Sequence, residues 1–273
     1  MMREDVLYSF GELRCRVAHN NEFCDIETQA FDRAHIHSWY EIYVNLSGDV
    51  SFLHDKEVYR IELGDVIFSR PGDVHCCMYH SSCIHEHVCI WFERNPALEQ
   101  LIDRLEIPAR IRFSKETKKA FLQCLRRFSD QENDSFLRAA AFIELLSQLG
   151  RERQPQAEYS EDMPKRLRDI LYYIDEHYRE AISPNQIAEA FYLSTSTLNR
   201  LFRVYVGLSV SRLIEAKRIS YAEKLLRADE TVTDACFHSG FSDCSRFIAR
   251  FKDKFGVTPL QYKILLRRSE SNL

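Results

Sequence analysis

The helical half of the chain repeats itself. A shift of 49 residues lays Tyr192 on Phe241, Ser194 on Asp243, Leu198 on Phe247 and Phe202 on Phe251. It continues with Arg203 on Lys252, Val206 on Phe255, Gly207 on Gly256 and Ser209 on Thr258. Each copy begins with Ser or Asp, whose side-chain oxygen can accept from the free N–H groups that open a helix. Apolar residues follow at i, i+4 and i+8, the spacing of a buried stripe, and then a glycine able to take the left-handed conformation that ends a helix. Two copies are too few for a solenoid, so one capped helical unit is used twice.

Ahead of each capped helix lies a shorter segment of small or apolar residues, Pro184 to Ala190 in the first copy and Val232 to Cys236 in the second. A short helix, a tight turn and a capped second helix make a helix-turn-helix, whose second helix enters the major groove of DNA. In the first copy, burying Leu198, Leu201, Phe202 and Tyr205 turns Ser196, Asn199, Arg200 and Arg203 outward. In the second, burying Phe247, Phe251 and Phe255 exposes Cys244, Ser245, Arg246, Ala249 and Arg250. Asn suits an adenine edge and Arg a guanine edge. Between the copies, Val210 to about Ala228 can form one helix roughly 27 Å long, close to the ~34 Å between successive major-groove faces on one side of B-DNA. One domain can then read two adjacent grooves.

The charge distribution agrees. The whole chain is acidic, with 37 Lys and Arg against 41 Asp and Glu, but residues 1–150 hold 17 against 24 and residues 164–273 hold 18 against 13. An acidic half joined to a basic half is the pattern expected when only one half meets nucleic acid.

Up to about Arg94 the chain reads as short strands, among them Glu41–Val44, Ser51–Leu53, Asp65–Phe68 and His87–Phe92, separated by turn signals at Gly48, Gly64 and Pro71-Gly72. From Pro96 the apolar period turns helical, through Leu98, Ile102 and Leu105, then Phe121, Leu125 and Phe128, then Phe136, Leu137, Ala141, Ile143 and Leu145. Gly150 to Pro164 has almost no large apolar residue and reads as a linker. No stretch approaches the ~20 apolar residues of a membrane span, and Met1 to Asp5 opens no signal peptide, which places the chain in the cytoplasm. Nine cysteines, an odd number with no C-x2-C pair, point to free thiols.

His35, His37, Glu41 and Gly48 form an H-x-H-x3-E-x6-G pattern. Strand alternation sets the two histidines on one face, and a hairpin can bring Glu41 beside them. Two imidazoles and a carboxylate suit a divalent metal such as Zn, Ni, Fe or Mn, with His75 as a fourth donor; a metal-free pocket built on the same hydrogen-bonding residues is the alternative. His75 to Cys89 also holds four His and four Cys, a second metal site or thiol sensor unless strand alternation separates them. Trp39, Tyr40, Tyr43, Phe52 and Trp91 read as core, in an interior suited to a sugar or small aromatic acid.

The helical half closely resembles the AraC/XylS family of bacterial transcription regulators over about Leu167 to Tyr262. The match is most specific in Gly240 to Phe247, Arg250-Phe251-Lys252, Phe255 to Pro259 and Tyr262. It includes Lys217-Arg218 and Ala222 to Leu226. Ala235-Cys236 stands where the family usually has Ile-Ala, and Cys244 where a polar residue is common. Carried over by position, Ser196, Asn199, Arg200, Ser245, Arg246 and Ala249 face bases, while Arg203, Arg250 and Lys252 meet phosphates. The two histidine-bearing segments resemble the cupin motifs, with departures at Pro71-Gly72 and Tyr79, and an N-terminal cupin is common in this family. The resemblance implies a two-domain chain: an all-β cupin or jelly roll over 1–95, a helical dimerisation segment over 96–150, a linker over 151–163, and an all-α domain of two helix-turn-helix units joined by a long helix over 164–268. It implies a sequence-specific regulator rather than an enzyme, with double-stranded DNA, a small-molecule effector, a second copy of the chain and RNA polymerase as partners. The competing reading is a metal-dependent cupin enzyme, or a metal or redox sensor, fused to a DNA-binding domain.

Overall fold

The computed structural model describes residues 2–10, 13–27, 35–130, 134–152, 163–206 and 208–270. It contains two compact units, one of Met1–Pro71 and His75–Asp162, the other of Gly72–Val74 and Met163–Leu273. Most of the expected linker and the expected helix-ending Gly207 lie outside the described residues.

The first unit opens with β1 (Met2–Phe10), β2 (Leu13–Cys24), β3 (Tyr40–Asn45), β4 (Val50–His54) and β5 (Glu57–Ile61). It continues with β6 (Val66–Ser69), β7 (His75–Tyr79), β8 (Cys83–Phe92) and β9 (Arg110–Ile111). They form two antiparallel sheets, one in the order β1-β2-β8-β3-β6-β9 and the other β5-β4-β7. The period of two along β3 serves two cores. Tyr40, Ile42 and Val44 join a cluster with Phe68, Ile90 and Phe92 that the helices cover, while Tyr43 joins Phe52, Tyr59, Cys77, Tyr79 and Cys89 from both sheets. That second cluster is the interior of a β-sandwich, and every residue of β3 is buried.

Helices α1 (Pro96–Leu105), α2 (Lys115–Ser129) and α3 (Ser135–Arg151) start at side-chain caps from Asn95, Ser114 and Asp134. They contribute Ile102, Phe121, Phe128, Phe142, Leu145 and Leu149 to the first cluster. Burying each such side chain is worth ~1.5–3 kcal/mol, which is what holds the helices on the sheet. Gly150 belongs to a helix and not to the expected linker: it lies inside α3, where an added Cβ would come 2.9 Å from the Leu105 carbonyl oxygen, so it permits the close approach of α1 and α3. Phe136, Leu137 and Ile143, read with the inward period, are exposed.

The second unit is helical: α4 (Lys165–His177), α5 (Pro184–Ala190), α6 (Thr195–Tyr205), α7 (Val210–Arg227), α8 (Val232–His238), α9 (Cys244–Phe255) and α10 (Pro259–Glu270). Helix α7 runs 18 residues without a break from its cap at Ser209. Ile219, Ala222 and Leu226 of α7 pack with Ala235, Cys236, Phe241, Phe247 and Phe251 to form the core of the second helix-turn-helix. The Lys217-Arg218 pair is structural. Lys217 pairs with Asp175 at 3.0 Å, and Arg218 donates to the carbonyls of Tyr178 and Glu180 at 2.6 Å each, satisfying chain that follows α4. Tyr262 donates to the buried Glu223 carboxylate at 2.5 Å and so ties α10 to α7. Among the described residues, no helix is long and apolar enough to cross a membrane.

Candidate nucleic-acid interface and ligand cavity

Each recognition helix is set by its cap. Ser194 Oγ accepts from the Thr197 amide at 3.1 Å, and Asp243 Oδ1 accepts from the amides of Ser245 at 2.8 Å and Arg246 at 3.3 Å. Gly256 ends α9 in the left-handed region, its amide donating to the Lys252 carbonyl at 2.8 Å. With Leu198 and Phe202 buried, Ser196, Asn199, Arg200 and Arg203 stand exposed along α6 and line one open depression with Leu208 and Ser209. With Phe247 and Phe251 buried, Ser245, Arg246, Ala249, Arg250 and Lys252 stand exposed along α9. Leu201, Tyr205 and Phe255 are only half-buried, at the edge of their stripes.

Cys244 departs from expectation. It is half-buried against the second core, and its thiol donates to the Cys236 sulfur at 3.0 Å. Position N1 of α9 turns back toward α8 because the tight turn folds the two helices together. The helices also differ in their arginines. Arg246 and Arg250 both pair with Glu215 of α7, at 3.0 and 3.3 Å, whereas Arg200 and Arg203 have no ion-pair partner among the described residues.

In the first unit, His35, His37, Glu41 and His75 converge, each offering a ligand atom within 4.8 Å of the others. The route is not strand alternation, since residues 36–37 lie in no strand. His35 is placed by a single backbone bridge to His75, with N–O distances of 3.1 and 3.2 Å. The loop then folds His37 over the start of β3. His37 Nε2 lies 2.7 Å and His75 Nε2 3.0 Å from the same Glu41 oxygen. The His37 Nδ1 faces the Trp39 carbonyl at 2.9 Å; a carbonyl only accepts, so that nitrogen carries a proton. Burial works to raise the Glu41 carboxyl, yet the charge on His75 and the hydrogen bonds from His37 and His75 outweigh it and hold it well below the usual carboxylate range.

His35, Glu41 and His75 open onto a cavity of about 230 Å³ between the sheets, lined also by Asn20, Asn21, Glu22, Tyr43, Phe52, His87 and Trp91. The β2 residues were not singled out from the sequence, and His87 was read only as a member of the His and Cys run. A run of three polar residues, Asn20-Asn21-Glu22, inside an otherwise alternating strand was the available signal. The register Asn20↔His87 brings the Asn20 amide 3.0 Å from His87 Nε2. The His and Cys run from His75 to Cys89 is split. His75 and His87 face the cavity, and His80 reaches Ser51 at 2.8 Å. His85 is enclosed by the hydroxyls of Tyr43 at 2.8 Å and Tyr79 at 3.3 Å. Apart from His75, no member of the run joins a set of three or more donors among the described residues. None of the nine cysteines, all of them among the described residues, forms a disulfide.

The chain matches the family model of an AraC-like ligand binding domain over residues 24–146 and that of a helix-turn-helix domain over residues 187–264. It is 27% identical over 253 residues to the HTH-type transcriptional activator RhaS of Enterobacter sp. (strain 638), covering 86% of this chain and 88% of that one. It is 28% identical over 244 residues to RhaS of Escherichia fergusonii, covering 84% and 86%. The crystal structure of ToxT from Vibrio cholerae O395 aligns with 92% of this chain and 98% of its own at 15% identity, with a TM-score of 0.38. An AraC-like ligand binding domain followed along the chain by a helix-turn-helix domain is what these two family models match, and the chain belongs to the AraC/XylS family of transcription regulators.

Proposed function

We propose that the cavity between the sheets binds a small hydroxyl-rich effector, of the monosaccharide class. We further propose that its occupancy changes how a homodimer of this chain sets two DNA-binding domains on their half-sites. The observation that carries this reading is the cavity wall itself. Aromatic faces of Tyr43, Phe52 and Trp91 stand beside a convergent polar group of Glu41, His75, Asn20 and His87. Apolar faces with a few placed donors and acceptors are what a sugar ring needs. Contact with the second copy falls to α3, where Phe136, Ala140 and Ile143 are exposed at i, i+4 and i+7. Ser196, Asn199, Arg200, Ser245, Arg246 and Ala249 read bases, while Arg203, Arg250 and Lys252 hold phosphates. The relatives named as activators favour positive regulation, through contact with RNA polymerase.

The test is calorimetry of the full chain against a panel of monosaccharides and small aromatic acids, with sequencing of DNA fragments retained in the presence and absence of each hit. Binding of a sugar that is recovered unchanged, lost in Glu41→Gln, supports the reading. Binding of aromatic acids alone, or conversion of the ligand, removes it. Sedimentation that is monomeric at every concentration removes the homodimer.

A second reading rests on the donor set. His35, His37, Glu41 and His75 fit a divalent metal such as Zn, Ni, Fe or Mn by type and proximity, and the Trp39 carbonyl orients the His37 ring from behind as an outer partner would. A bound metal would supply a Lewis-acidic anchor for effector oxygens. Near-stoichiometric metal by elemental analysis, lost in His37→Ala, favours it. Metal-free protein with an unchanged effector response sinks it.

A further inference from the structure

Cys236 of α8 is fully buried, and Cys244, the first residue of α9, is half-exposed. Their sulfurs lie 3.0 Å apart. A disulfide bond is about 2.05 Å long, so bonding requires an approach of only about 1 Å. Both residues are departures from the family pattern, and the structure makes them the two ends of one contact. Cys236 fills a core position beside Ala235 where a small apolar side chain would pack as well, so packing alone does not account for two sulfurs meeting there.

We propose that Cys236 and Cys244 are a peroxide-responsive thiol pair whose disulfide ties the bracing helix to the first turn of the second recognition helix and weakens its reading of DNA. The half-exposed Cys244 is the sulfur a hydroperoxide meets first. Its thiolate attacks the outer peroxide oxygen, the O–O bond breaks, and Cys244 becomes a sulfenic acid while the peroxide is reduced to water or an alcohol. The Cys236 sulfur then attacks the Cys244 sulfur. The S–O bond breaks, the Cys236 proton leaves with the departing hydroxide as water, and the S–S bond forms. The two thiols together lose two electrons and the peroxide gains them. Burial, with the Cys244 thiol beside it, pushes the Cys236 thiol up to about 12, so Cys236 is not the sulfur that attacks the peroxide.

The consequence follows from position. Cys244 sits between the cap Asp243 and the outward residues Ser245 and Arg246, whose amides the Asp243 carboxylate holds. Drawing Cys244 toward α8 moves this first turn, and the side chains that enter the groove move with it.

The experiment uses the reduced full-length protein and a DNA fragment that it retains from a random pool. After addition of stoichiometric hydrogen peroxide, peptide mapping under non-reducing conditions reads the cross-link, and fluorescence anisotropy reads affinity. The expected result is a Cys236–Cys244 cross-link with affinity reduced about tenfold, the scale of one disrupted base contact. Dithiothreitol restores it. Cys236→Ala binds like the reduced wild type and keeps its affinity after peroxide. Oxidation of Cys244 to sulfinic acid without a cross-link, a cross-link that leaves affinity unchanged, or equal peroxide sensitivity in Cys236→Ala would each overturn the proposal. The mapping arm stands whether or not a retained fragment is found.

Discussion

Arg246 Nη2 lies 3.0 Å from Oε2 of Glu215, and the other oxygen of that carboxylate lies 3.3 Å from Arg250 Nε. One acidic residue of the connecting helix therefore engages two cations of the second recognition helix, while Arg200 and Arg203 of the first have no such counter-ion among the described residues. The two readers of one domain are thus electrostatically unequal before DNA arrives. Glu215→Gln is expected to raise affinity for random DNA by up to about fivefold, since pairs of this exposure are worth ~0.2–1 kcal/mol, and to narrow the gap between retained and random fragments. Anisotropy at two salt concentrations checks this; a fall in affinity for random DNA contradicts it.

The base-facing and phosphate-facing assignments separate by salt. Arg246→Ala should cost about 1–3 kcal/mol on a retained fragment and relax preference at one position, whereas Arg203→Ala should weaken all sequences alike and lower the salt slope by about one. Equal losses on retained and random DNA refute the Arg246 assignment.

Gly48, the last member of the histidine-bearing motif, has φ +109°, and a Cβ built on it would lie 3.1 Å from His85 Cδ2. Gly48→Ala must bear a conformation that L-residues rarely adopt and press on an enclosed ring. A loss of about 1–3 kcal/mol is expected in urea unfolding. An unchanged midpoint would show that the turn can reshape.

His85 predicts the acid side of the stability curve. Burial, then the charge of neighbouring His87, lowers it to about 3, among the hydroxyls of Tyr43 and Tyr79. Its folded form is neutral where an unfolded imidazole takes a proton at about 6.5. The contribution is therefore fully present above about pH 6.5 and is lost as pH falls from there toward 3, by up to ~1.4 kcal/mol per pH unit. Urea midpoints at pH 7.5, 6 and 5 should fall in sequence for the wild type and more shallowly in His85→Gln. Parallel pH profiles for the two proteins would remove His85 as the cause.

Much of the interface was legible because its signals are local. Ser194 and Asp243 bond amides only two or three residues ahead, and the stripes Leu198–Phe202 and Phe247–Phe251 recur within one turn. The cavity was less legible. His35, His37, Glu41 and His75 could be named as a set, but strand alternation was the wrong reason, Asn20 went unnamed, and His87 was read with the His and Cys run instead of with Glu41. Their meeting depends on pairings that close long loops, β2 with β8 and His35 with His75.

The sequence by itself determined the capped helical repeat, the unbroken helix between its copies, the outward arginines and the division into an acidic and a basic half. Each is decided within one or two helical turns or by composition. Only the tertiary structure decided that Cys244 turns inward to Cys236, that Glu215 engages two exposed arginines of α9, that Gly150 packs inside a helix and that Asn20 shares a cavity with Glu41. Those outcomes depend on which helices and strands pack together, and side chains distant in the chain meet only after the entropy of closing the loops between them has been overcome.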